Sequence, residues 1–137
     1  MTKYEIINFK IEYEKHFYDL NIAWLKEFFL VEDYDQKILS NPQKHIINKG
    51  GSIFFAKKNK KIIGVVALMP TDEFDVFELT KMGVKKNFRN QGVGSLLINE
   101  CIEKVKLDKQ KKSLFIGTES LKTQYIYINH LASLKLN

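Results

Sequence analysis

At 137 residues, 45% of them hydrophobic and 12% aromatic, the chain holds enough apolar material for one globular domain with its own core, which excludes wholesale disorder. A single cysteine, Cys101, excludes an internal disulfide framework and fits a reducing compartment. The net charge of +6 gathers in "KKNKK" (57–61), "KK" (85–86) and "KLDKQKK" (106–112), a surface open to nucleic acid, anionic lipid or a polyphosphate, or simply solvated.

The opening stretch, "MTKYEIINFKIEYEKHF", is charged throughout and lacks the apolar core of a signal peptide. No run approaches the roughly 20 apolar residues of a membrane helix, so a soluble cytoplasmic protein without a membrane partner is expected. Tyr4 to Phe9 reads as a short strand. Phe17, Leu20, Trp24 and Phe28 then recur at three- and four-residue steps, the stripe of an amphipathic helix. "SNPQKHIINKGG" reads as a second helical piece, with Asn41 as cap, Pro42 in the first turn and Gly50 as stop. The period then changes. "SIFFAKK" and "KIIGVVALM" are β-branched and aromatic runs about Asn59, a hairpin pattern. "FDVFELTKMGV" (74–84) reads as a long third strand, while Leu96, Leu97, Cys101 and Val105 mark the face of a helix over 92–107. "SLFIGT" (113–118) is a further strand, followed by a short tail of ambiguous helical character. This β-α-α-β-β-β-α-β order, without repeat or internal boundary, predicts one domain over 1–137. It would be an α/β sandwich with a mixed sheet, in which 76–84 and 114–118 are parallel neighbours joined by a right-handed crossover.

The junction "RNQGVGS" (89–95) stands between a strand and a helix whose first amides have no intrahelical acceptors. With the macrodipole, those amides make a natural anion site. Gly92 and Gly94 let an anion approach the backbone, Arg89 offers a charged fork, and Lys85 and Lys86 raise the local potential. A tight turn alone would explain a G-x-G. Two phosphate-binding patterns are excluded: no Walker G-x-x-x-x-G-K-[ST] is present, and Leu97 stands where a dinucleotide fingerprint needs its third glycine.

The run from Arg89 to Gly94 resembles the R/Q-x-x-G-x-G/A signature of the GNAT superfamily of acyl-CoA-dependent N-acyltransferases. The preceding "ELTKMGVKKNFR" is similar to the strand leading into that signature, and the element order matches the family from about residue 4 to 118. The resemblance implies an α+β fold: a mixed, mostly antiparallel sheet flanked by helices. It also implies that Arg89, Asn90, Gln91, Gly92, Val93, Gly94 and Ser95 hold the pyrophosphate of acetyl-CoA. Met82, Gly83 and Val84 would meet the pantetheine and thioester along a strand that splays from its neighbour, Gly83 replacing a small side chain.

The implied reaction is direct attack of a bound amine on the thioester. An amine with a pKa near 10 must first lose a proton. Glu78 is placed on the central strand to accept it, through water if needed, and Asp75 is the next choice; an ion-paired strand carboxylate is the alternative for Glu78. The oxyanion would meet the amide near Val84. Trp24, Phe28, Phe29 and Tyr34 would wall the acceptor, although their helical spacing also fits a core stripe. His16, His45 and His130 lack metal-ligand spacing with one another or with Cys101, so no metal is expected, and Cys101 reads as a buried inert thiol. "KKNKK" reads as a solvated hairpin turn, and no helix-turn-helix, zinc or stacking pattern supports a nucleic-acid partner.

The resemblance breaks after Thr118. The family has there a helix with A-I-x-L-Y-x-x-x-G-F, whose Tyr often protonates the departing thiolate, and then two more strands. This chain reads "SLKTQYIYINHLASLKLN", so 124–137 forms a divergent tail and the last two strands are lacking. Shifting the frame by two bases within the Thr123 codon permits Ala-Ile-Tyr-Leu-Tyr-Lys-Pro-Phe-Gly-Phe, which restores the pattern and points to a frameshift before Gln124. Tyr125 and Tyr127 are out of register with the missing acid. Two readings follow: an active N-acetyltransferase, or a truncated relative that binds CoA with little or no turnover. An open sheet edge would also invite a homodimer.

Overall fold

The computed structural model describes residues 3–28, 30–73, 76–107, 113–116 and 124–127. Its frame is a six-stranded sheet in the order of the chain. Glu5–Asn8 (β1) forms one edge, antiparallel to Ser52–Lys58 (β2), which turns into Lys61–Pro70 (β3). Asn59 and Lys60 both lie at positive φ, 51° and 68°, as the expected two-residue hairpin requires. β3 is buried on both faces from Ile62 to Leu68, so its apolar run shows no alternation.

Val76–Val84 (β4) pairs antiparallel with β3 but is not regular. Val65 faces Gly83, whereas Ala67 faces Thr80, so Lys81 and Met82 share the space opposite one residue. This is a β-bulge, with Lys81 at φ 54°. Phe74 and Asp75, expected to begin the strand, lie outside the described residues.

Helices cover both faces. Glu14–Phe28 (α1) buries Phe17, Leu20 and Leu25 against one face, where Phe55 meets the rings of Phe9 and Tyr13 at 6.5 and 5.5 Å. Asp33–Ser40 (α2) was not legible in the sequence. It turns only Ile38 and Leu39 fully inward, and its first turn is closed by the Asp35 carboxylate, which accepts the Glu32 N–H at 3.2 Å. Pro42–His45 (α3) starts as expected: the Asn41 side chain accepts the Lys44 N–H at 3.3 Å, and the run closes at Gly50 after a 3-10 turn. Val93–Leu107 (α4) lies on the opposite face, burying Val93, Leu97, Ile98, Cys101, Ile102 and Val105 against Phe54, Ile63, Val66, Phe77 and Leu79.

Ser113–Ile116 (β5) runs parallel to Val76–Leu79, as the strand–helix–strand order predicted. The tail, whose helical character the sequence leaves ambiguous, holds a strand. Gln124–Tyr127 (β6) pairs antiparallel with β5, so the edge expected at the fifth strand lies instead at β6. The aromatic and β-branched residues of "QYIY" favour a strand, and β5 offers unpaired main-chain groups. Residues 128–137, including His130, and the lysines at 109–112 lie outside the described residues. Among the described residues, no helix is long and apolar enough to cross a membrane.

Candidate functional site

The end of β4 and the start of α4 form one loop. Lys85 donates its N–H to the Ile63 carbonyl at 2.8 Å, the last rung to β3. In an antiparallel ladder the preceding residue points the other way, so the Val84 N–H faces away from β3. The pairing of β4 with β5 ends at Leu79, so Thr80 to Val84 have no β5 partner among the described residues. After a 3-10 turn over Lys86–Phe88, Asn90 and Gly92 take φ of 63° and 85°. The first bond into α4 runs from the Leu96 N–H to the Gly92 carbonyl at 3.1 Å. The amides of Val93, Gly94 and Ser95 precede it and have no intrahelical acceptor. A Cβ built on Gly92 would meet no atom within 4 Å, so this turn faces open space.

That space is a cavity of about 360 Å³. Met82, Gly83, Val84, Arg89, Asn90, Gly92, Val93, Gly94 and Ser95 line it, joined by Trp24 and Phe88. Gln91 is the expected residue that does not. Its Oε1 accepts the Tyr4 hydroxyl at 2.5 Å and its Nε2 donates to the Asn87 carbonyl at 3.2 Å, so it fastens the loop to the start of the chain.

Arg89 is engaged differently from the free fork expected of it. Its Nε donates to the Val84 carbonyl at 2.9 Å, its Nη1 pairs with the Glu27 carboxylate at 3.1 Å, and its guanidinium lies 4.9 Å from the centre of the Trp24 ring. It ties α1 to the end of β4. Gly83 makes the same junction close: a Cβ there would stand 2.9 Å from the Leu20 carbonyl oxygen of α1. Sequence reasoning placed Trp24 in a core or acceptor wall and did not single out Glu27 or Phe88. Trp24 and Glu27 sit near the end of a helix far away in sequence, and only the fold brings them here.

Glu78 stands mid-strand, opposite Met69 and Phe115. Its neighbours Phe77 and Leu79 join the core under α4, so its side chain faces the α1 side. Burial raises its pKa above the ordinary carboxylate value, partly opposed by the Lys81 ammonium. The bulge at Lys81 carries that ammonium to Asp35 of α2, 3.4 Å away, with both groups largely buried. Tyr34 is exposed, and the side chains of Phe28 and Phe29, like the alternative base Asp75, lie outside the described residues. Cys101 is fully buried and its thiol is pushed up to about 12, an inert group. Among the described residues, no cluster of three His, Cys, Asp or Glu side chains could hold a metal.

Residues 8–124 match the sequence model of the acetyltransferase (GNAT) family. N-acetylaspartate synthetase of Xenopus tropicalis is 29% identical over 85 residues, covering 61% of this chain and 31% of that protein. The chain therefore spans less than a third of that relative's length. A GNAT-family acetyltransferase from Staphylococcus aureus Mu50 superposes with a TM-score of 0.74 at 25% identity, over 85% of this chain and 73% of the other. N-acetylglutamate synthase from Neisseria gonorrhoeae, complexed with coenzyme A and N-acetyl-glutamate, shares the fold at a TM-score of 0.62 and 16% identity, over 85% and 25%.

Proposed function

The chain belongs to the GNAT acetyltransferase family, and from that premise we propose that it transfers an acetyl group from acetyl-CoA to an amine by direct attack. One observation carries the reading: the unpartnered amides at the start of α4 and the bare Gly92 open into a single cavity with the main chain of Met82 to Val84. That arrangement suits a ligand with a pyrophosphate joined to an extended amide-bearing arm. A fold neighbour, N-acetylglutamate synthase, holds coenzyme A, and the curated relative is named for an N-acetylated product, which supports both donor and reaction class.

The amine nitrogen bonds the carbonyl carbon of the acetyl thioester, and the tetrahedral adduct collapses with cleavage of the carbon–sulfur bond, so that CoA leaves as a thiolate and takes a proton from solvent. The amides of Val93, Gly94 and Ser95 bind the pyrophosphate, and the stretch from Met82 to Val84, which lies beyond the pairing with β5, receives the pantetheine arm. Glu78 takes the proton the acceptor ammonium must lose, directly or through water. Its raised pKa makes it the stronger base for that step. The Val84 N–H, turned away from β3, meets the carbonyl oxygen as charge develops on it. The compartment proposed is the cytoplasm, on the single cysteine, which fits a reducing environment.

A second reading, a protein that binds CoA with little or no turnover, is favoured by β6. Only residues 117–123 lie between β5 and β6, leaving no room for the whole helix motif that carries a general acid in the family. Thiol release from acetyl-CoA against a panel of amines, paired with CoA calorimetry, separates the two. Amine-dependent release that Glu78→Gln abolishes supports transfer. Binding without release across the panel supports the second reading.

A further inference from the structure

The lysines of the β2–β3 hairpin are not equivalent. Lys60 and Lys61 are exposed, but Lys58 is half-buried. Its ammonium lies 5.2 Å from the centre of the Tyr4 ring and 5.3 Å from that of Phe88. Such contacts hold a cation in place without neutralising it. Both rings belong to the cradle: Phe88 lines its cavity, and the Tyr4 hydroxyl donates to Gln91 in its loop. Lys58 is thus fixed one ring beyond the cavity. Among the described residues it forms no ion pair, whereas Arg89 is paired with Glu27. A held and uncompensated cation at the rim of an anion site is arranged for a further anionic group. We propose that Lys58 binds the 3′-phosphate at the nucleotide end of CoA, the next charged group beyond the pyrophosphate.

This rests on the acetyl-CoA reading above, and the experiment keeps the two apart. The full chain is titrated calorimetrically with CoA and with dephospho-CoA, as wild type and as Lys58→Met, which keeps an unbranched apolar stem between the rings. Wild type is expected to bind CoA about fivefold more tightly than dephospho-CoA, the scale of one solvent-accessible ion pair. Lys58→Met should lose about that fivefold for CoA and nothing for dephospho-CoA, while Lys58→Arg keeps the preference. Equal losses for both ligands, or no loss for either, overturn the assignment while leaving CoA binding intact. Failure of wild type to bind either ligand overturns the acetyl-CoA reading and this one with it. Melting curves check the fold, and Lys58→Gln repeats the comparison should Lys58→Met prove unstable.

Discussion

At Gly92 the backbone sits at φ 85° and a Cβ would meet no protein atom within 4 Å, so substitution there separates two effects. Gly92→Ala should cost about 1–2 kcal/mol of stability through the left-handed backbone alone, read by denaturant unfolding. It should also weaken CoA about tenfold or more, because the new carbon occupies the anion's approach. Glu78 gives a prediction with a definite sign. Its folded pKa is raised, so the folded state binds more protons than the unfolded state between the ordinary carboxylate value and the raised one. The carboxylate's cost to stability is therefore absent below the ordinary value and fully present above the raised one. Glu78→Gln should melt higher than wild type near neutral pH, lose that advantage in acid, and abolish amine-dependent thiol release. A variant less stable at neutral pH, or fully active, would contradict this account of Glu78. The glycines of the cavity were legible because strand, turn and helix follow without a gap. The role of Arg89 was not, since its partners Trp24 and Glu27 come from α1.

The elements show the same divide between local and distant causes. The β2–β3 hairpin was legible because β-branched runs flank a two-residue turn, and the structure puts both turn residues at positive φ. Lys60 at φ 68° is the costly half of that turn. Lys60→Gly should raise stability by about 1 kcal/mol by supplying the favoured Asn-Gly pair, an outcome read directly in urea unfolding. A loss of stability would show that the turn is held by something other than local backbone preference. α2 escaped notice because only Ile38 and Leu39 are buried in it and its start is closed by acids rather than by Ser or Thr. Ile38 and Leu39 pack it against the core, and Lys81, carried toward Asp35 by the bulge in β4, ties its first turn to the sheet. A bulge pairs two residues against one, which no period in the sequence records.

Across the whole molecule, α1 and α4 cover opposite faces of a mostly antiparallel sheet, and both Glu78 and the loop that opens α4 belong to β4 or follow directly from it. Apart from α2 and the bulge in β4, the frame was legible from residue 4 to the fifth strand, because the long strands and helices carry their own periods. The tail was not: a short aromatic run such as "QYIY" takes its structure from the edge it meets. The family match also stops at residue 124, the point at which the frameshift reading places the change. Sequencing the gene tests that reading, since codons for 123–134 must permit the Ala-Ile-x-Leu-Tyr pattern in the shifted frame; codons that forbid it end the idea. The central claim concerns what the cradle holds, and calorimetric titration of the full chain with acetyl-CoA tests it most directly. Trp24, the single tryptophan and a wall of the cavity, reports the same event by its fluorescence. The account predicts saturable one-to-one binding by wild type, an emission change in step with it, and at least about tenfold weaker binding by Gly92→Ala. No saturable heat with acetyl-CoA, or equal affinity in Gly92→Ala, would contradict it.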